Sequence, residues 1–187
     1  MTRIVAGTLG GRRIAVPASA HARPTTERVR EALFSTLESL TDLDGARFAD
    51  LYAGSGAVAL EALSRGAAHA LLVESDPKAA RVIRGNIAAL DIGVRATVVT
   101  GKVAGVLAGG PPDGQPYHIV FADPPYAVSE GELNGLLALL VDGGWLAADA
   151  VVAVERSRRA PAPGVPGITE IRSRRYGDTI LWYGRRS

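Results

Sequence analysis

At 187 residues and a net charge of +2, the chain is long enough for one domain with a modest addition and needs no covalent staple to bury a core. It contains no cysteine, which excludes a disulfide framework, a thiolate nucleophile and a cysteine-bound metal. His21, His69 and His118 are too scattered to form a metal-ligand set, so no metal is expected. The sequence shows neither a membrane-length apolar run nor a signal-peptide core, so a cytoplasmic protein is expected.

The small net charge conceals a strong segregation. Residues 1–30 carry six arginines against Glu27, and residues 156–187 carry eight against Glu170 and Asp178. Between them, residues 31–155 hold 7 basic and 16 acidic groups. Two basic ends around an acidic middle form a nucleic-acid footprint if the fold brings the ends together, or otherwise an ordinary solvated surface.

In chain order, 3–16 reads as two apolar segments joined through Gly10-Gly11, a β-hairpin signal, with Arg3, Arg12 and Arg13 available to RNA. Arg23-Pro24-Thr25-Thr26-Glu27-Arg28-Val29-Arg30 opens a helix capped by Thr25 or Thr26. Val29, Leu33, Leu37 and Leu40 form its buried face, and Arg23, Arg28 and Arg30 are expected to project away from that face toward an anion. From residue 46 strands and helices alternate. A strand over 46–51 meets the glycine-rich turn Tyr52-Ala53-Gly54-Ser55-Gly56, then a helix over 57–65 closed by Gly66. A strand over 69–73 reaches Glu74-Ser75-Asp76, and Asp76 caps a helix from Pro77 to about Leu90. Strands follow over 95–100 and 117–122, with a loop at 109–114 between them. A helix over 130–140, a strand in two pieces over 145–146 and 150–154, and a final antiparallel hairpin over 168–176 and 179–183 complete the pattern. The pattern predicts an α/β, doubly wound sheet covered on both faces.

Two stretches carry chemistry. The apolar run Ile119-Val120-Phe121-Ala122 ends in Asp123-Pro124-Pro125-Tyr126, where Asp123 and Pro124 each precede a proline and are held extended. The resulting stiff shelf offers a carboxylate, a carbonyl between nitrogens that carry no hydrogen, and an aromatic ring. It suits the amino group of a planar base, whose two N–H groups it accepts while the ring stacks. Taken alone it fits a proline turn with an aromatic lid equally well.

The second stretch is the glycine turn. Gly54 and Gly56 let an adenosine-bearing cofactor approach the backbone, and Glu74, 20 residues after Gly54, is placed to accept ribose hydroxyls. Gly54-Ser55-Gly56-Ala57-Val58-Ala59 also satisfies the loose dinucleotide pattern, so an NAD-linked oxidoreductase is the distant alternative. Asp50 weighs against it: a carboxylate at the strand tip repels a pyrophosphate and pairs with the aminoacyl ammonium of S-adenosylmethionine.

Asp50-Leu-Tyr-Ala-Gly-Ser-Gly56, Glu74-Ser75-Asp76 and Asp123-Pro-Pro-Tyr126, in this order, resemble the class I S-adenosylmethionine-dependent methyltransferases that modify exocyclic amino groups. Arg3-Ile-Val-Ala-Gly7, 23–31 and Arg175-Tyr-Gly-Asp-Thr179 narrow the resemblance to the bacterial small-subunit rRNA guanine-N2 methyltransferases of the RsmD type. The resemblance spans nearly the whole chain. It implies a seven-stranded Rossmann-like methyltransferase sheet over 23–187, an RNA-binding hairpin extension over 1–22, and a guanine of 16S rRNA, free or in the small subunit, as target. It assigns Asp123, Pro124, Pro125 and Tyr126 to catalysis. The cofactor falls to Asp50, Tyr52, Ala53, Gly54, Ser55, Gly56, Glu74, Ser75, Asp76, Lys102, Val103 and Asp123, and RNA to Arg3, Arg12, Arg13, Arg23, Thr25, Arg28, Arg30 and Tyr126. The turn Thr100-Gly101-Lys102-Val103 lacks the acid or amide that many such enzymes set against adenine, so backbone groups near Lys102 and Val103 are expected to serve. DNA adenine or a glutamine side chain is the nearer alternative as methyl acceptor.

Overall fold

The structure, a computed structural model, describes residues 1–18 and 26–187; the expected RNA residues Arg23 and Thr25 lie outside them. The elements are β1 (Thr2–Arg3), β2 (Arg13–Ile14), α1 (Glu27–Leu40), β3 (Arg47–Asp50), α2 (Ala57–Ser64), β4 (His69–Glu74), α3 (Pro77–Leu90), β5 (Ala96–Thr100), α4 (Val103–Ala108), β6 (Tyr117–Ala122), α5 (Glu130–Asp142), β7 (Leu146–Ser157), β8 (Ile168–Tyr176) and β9 (Thr179–Arg186). Side-chain caps set the helix starts: Thr26, Asp76 and Ser129 accept from Val29, Lys78 and Glu132 backbone N–H groups. Helix α4 was not foreseen, because Val-Ala-Gly-Val-Leu-Ala is too short to show a period and holds a glycine. The strand expected in two pieces is one, β7, with a register shift against β6 and Asp149 at φ 60° where the break was read.

The main sheet has seven strands in the order β5-β4-β3-β6-β7-β9-β8. β5 to β7 pair in parallel, while β9 pairs antiparallel with both β7 and β8. Strand order reverses at β3, which takes β4 on one side and β6 on the other, and α/β sheets hold ligands beyond the strand tips at such a point. On one face Leu33, Phe34 and Leu37 of α1, Leu60 of α2 and Ile83 and Ile87 of α3 pack with Phe48, Ile119 and Phe121. On the other, Leu107 of α4 and Leu133, Leu137 and Leu140 of α5 pack with Val120, Val152 and Trp145. Among the described residues no helix is long and apolar enough to cross a membrane.

The N-terminal hairpin pairs Thr2 with Ile14 and Arg3 with Arg13, and Ile4 and Ile14 enter the core of the first face. Its principal tether is Glu61, the one charge in the otherwise uncharged and wholly buried helix α2. Glu61 accepts from the N–H of Val5 (2.8 Å) and Ala6 (3.0 Å), and from Nε of Arg30 (3.3 Å) and Arg65 (2.9 Å). Arg30 was expected among the exposed arginines, and here the structure corrects the sequence reading. Its side chain is 1% exposed, donating to Glu61 and to the Arg3 carbonyl, because α1 turns it inward against α2. Burial lowers the Arg30 pKa and the Glu61 carboxylate opposes that shift. Arg30 therefore fastens the hairpin to the body.

Removing one member of a fully buried ion pair leaves the other uncompensated and typically costs about 3–5 kcal/mol. Glu61→Ala should accordingly lower the melting temperature by roughly 10 °C. Thermal melts followed by circular dichroism measure this, and a shift of under about 2 °C would show that the pair carries little.

Candidate active site

At the tips of β3, β4, β6 and β7 lies a cleft of about 1400 Å³. A single small-molecule pocket usually holds roughly 300–1,000 Å³, so this one has room for two ligands side by side. Asp50, Tyr52, Ala53, Gly54, Ser55, Glu74, Ser75, Asp76, Lys102, Val103 and Asp123 all line it; Gly56 stands just behind, capping α2. The residues expected at the cofactor are thus brought together from four segments far apart in sequence.

The glycine turn leaves β3 with its register intact, Leu51 N–H donating to the Phe121 carbonyl and Ala53 N–H to the Val73 carbonyl. Gly54 (φ 58°) and Gly56 (φ 83°) occupy the left-handed region that side chains disfavour. A Cβ at Gly56 would come within 3.1 Å of Leu72, whereas one at Gly54 would point into open space, the side from which a ligand approaches. Glu74 shapes the turn as well as facing the cleft: it accepts from Gly54 N–H (2.9 Å) and Asp76 N–H (2.8 Å). The Asp76 carboxylate caps α3, taking Lys78 N–H at 3.0 Å. Lys102 is the residue before α4, and buried Val103 is its first turn, both at the cleft.

Asp50 is the anomaly. It is 1% exposed, and its Oδ1 has no hydrogen-bond partner. Burial pushes its carboxyl up to about 7; backbone N–H groups of Ala59 and Tyr52 oppose this and the nearby Glu74 charge adds to it. A buried, under-satisfied acid is costly, and a cationic partner arriving in the cleft relieves it. The residues present therefore fit the ammonium of S-adenosylmethionine and do not fit a pyrophosphate. Beside it, burial pushes the Tyr52 phenol up to about 12, with Glu132 adding and Arg156 opposing, so Tyr52 remains a neutral hydroxyl.

The proline shelf adjoins. Asp50 lies opposite Phe121 in the β3–β6 ladder, so Asp123 comes two residues beyond Asp50's partner, in the same cleft. Pro124 is buried, Pro125 exposed, and the Tyr126 ring 71% exposed at the rim. Of the arginines expected at RNA, Arg3 pairs with Glu27 (3.2 Å), Arg12 donates to the Ala89 carbonyl (3.1 Å), and Arg13 and Arg28 are exposed; none of these four lines the cleft. Sequence reasoning missed Glu61, Asn86, Glu155 and Arg156. The lone charge in an apolar helix was a readable signal for Glu61, and no comparable one marked the others.

Fold and site together define a Rossmann-like methyltransferase. The family described as conserved hypothetical protein 95 matches residues 2–185, and the chain belongs to that family. Ribosomal RNA small subunit methyltransferase D of Escherichia coli (strain K12) is 43% identical over 164 residues, 88% of this chain and 79% of that one. The putative rRNA methyltransferase YlbH of Bacillus subtilis (strain 168) is 32% identical over 178 residues, 95% of each. Among solved structures, the putative methyltransferase yhhF from Escherichia coli superposes with a TM-score of 0.86 at 38% identity, over 99% of this chain and 97% of that one.

The Asp50 shift makes a signed prediction. Between its ordinary value of 3.8 and about 7 the folded protein holds a proton that the unfolded chain has released, so this group's contribution to stability falls as pH rises through that window. Asp50→Asn should therefore raise the melting temperature of the ligand-free protein at pH 8 by several degrees and leave it unchanged near pH 3.5. The same variant should bind S-adenosylmethionine at least about tenfold more weakly. In the wild type, affinity should fall about tenfold for each pH unit below 7 as Asp50 protonates. Melts and calorimetric titrations across pH 5.5–8 measure both, and a pH-independent affinity would remove Asp50 from the ammonium site.

Proposed function

We propose that this chain transfers a methyl group from S-adenosylmethionine to the exocyclic N2 amino group of a guanine in the rRNA of the small ribosomal subunit. One observation carries the reading: Asp50 and Asp123 stand at neighbouring strand tips and line one cleft, one fitted to a cation and the other to an amine. The relatives named for small-subunit rRNA methylation supply the polymer, and the amino-binding shelf supplies the atom. An rRNA substrate also accords with work in the cytoplasm.

S-adenosylmethionine supplies a methyl carbon made electrophilic by its sulfonium, the C–S electron pair departing on sulfur. The chain's own residues prepare the nucleophile. The guanine amino lone pair is delocalised into the ring and attacks poorly. Hydrogen bonds accepted by Asp123 and by the Pro124 carbonyl favour a tetrahedral nitrogen and turn its lone pair outward. As the N–C bond forms, the nitrogen releases one proton to the Asp123 carboxylate or to water. Tyr126 stacks on the base, which aromatic platforms make worth about 1–3 kcal/mol. A paired target must first leave its helix. Exposed Arg13, Arg28, Arg174 and Arg175 hold phosphates, giving orientation and affinity rather than sequence choice.

Asp123→Ala should lower methyl transfer by at least about 100-fold while S-adenosylmethionine binds within about threefold of wild type. Labelled-methyl assays on small-subunit rRNA, duplex DNA and protein, with the labelled nucleoside identified by mass spectrometry, measure this. Unchanged turnover, or label on DNA adenine or glutamine, overturns the reading.

A further inference from the structure

The strand tips hold a further acid, Glu155, that the reaction above leaves unused. In the β6–β7 ladder Ala122 lies opposite Val154, so the next residues along each strand, Asp123 and Glu155, are level. Alternation fixes their face. Phe48, Phe121 and Ala153 all pack in the core beneath α1, α2 and α3, and Asp50, Asp123 and Glu155 each follow one of them by two residues. Three carboxylates thus stand on three consecutive strands, one face, one cleft, Asp123 and Glu155 level with each other and two residues beyond the level of Asp50. Neighbouring strands are roughly 5 Å apart, so Asp123 and Glu155 span about the width of one edge of a purine. Glu155 is half-buried. Arg156, next in the chain, turns to the opposite face and donates to the Val128 carbonyl at 3.3 Å.

The order across β3, β6 and β7 is then cofactor acid, amino-group acid, Glu155. We infer that Glu155 is the residue that selects guanine, accepting the base's N1–H while Asp123 holds the adjoining 2-amino group. The chemistry is one-sided. Guanine presents N2–H and N1–H donors side by side, whereas a purine with an unprotonated N1 presents a lone pair that a carboxylate repels. A site built to accept a hydrogen bond rejects the analogue lacking the donor far more strongly than an apolar pocket rejects a missing methylene. Glu155 is a specificity-determining residue in this account, which rests on the guanine-N2 reading and adds how the base is told apart.

The test uses small-subunit rRNA joined from synthetic and transcribed pieces, with the target carrying either guanine or 2,6-diaminopurine. The analogue keeps the 2-amino group but has no N1–H. Wild type should favour guanine by at least about 100-fold in kcat/KM. Glu155→Gln, whose amide also donates, should narrow the preference to under about tenfold, with melting temperature and S-adenosylmethionine affinity unchanged. Wild type that uses both bases within tenfold overturns the inference without needing the variant to fold, as does a Glu155→Gln protein that keeps the full preference. If wild type places no methyl on guanine N2, the underlying reading fails and this inference falls with it.

Discussion

The register of β6 against β3 is the constraint on which everything at this site depends. Parallel pairing puts Phe121 opposite Asp50, so the chain leaving β6 emerges beside the acid at the tip of β3 and delivers Asp123 into the same cleft. A slip of one residue would turn Asp123 to the other face of the sheet. The register is secured from both sides, since Ile119 and Phe121 must enter one core while Val120 and Ala122 enter the other. Packing that is indifferent to chemistry thus sets the relation between the two acids.

The site is assembled at a cost in stability. Asp50 is buried with an oxygen unpaired, two glycines hold left-handed backbone, and the bulk of the helix-covered sheet compensates. A carboxylate poised near neutrality has a specific use. A cation arriving there would meet a carboxylate with no shell of water to shed.

The N-terminal extension is bound to the body by polar groups as much as by its two isoleucines. Glu61 collects backbone N–H groups of the hairpin together with Arg30, and Ser64 Oγ accepts from Leu9 N–H at 2.9 Å. Asn86 of α3 carries the connection to the cofactor turn: its side-chain amide donates to the carbonyls of Ala15 (2.9 Å) and Ser55 (3.1 Å), and its oxygen accepts from Ala15 N–H (2.8 Å). The hairpin and the glycine turn are thereby held by one side chain, and a displacement of either is felt by the other.

The sequence by itself determined the alternation of strands and helices, a cap at Thr25 or Thr26 and one at Asp76, the glycine turn and the proline shelf, because each is a local matter of period, φ preference or missing N–H. Charge assignments were less legible. Arg30 sits in a run of arginines that reads as a surface patch, and only the approach of α2, with Glu61 from 31 residues away, made its burial possible. Short α4 lacked the length to show a period, and the bulge near Asp149 depends on what β7 pairs with. Glu155 carried no signal along the chain, since its place beside Asp123 exists only once β6 and β7 lie side by side. Local backbone chemistry is written in neighbours along the chain, whereas the grouping of charges at a sheet edge is decided by strand order and register, which only the folded core enforces.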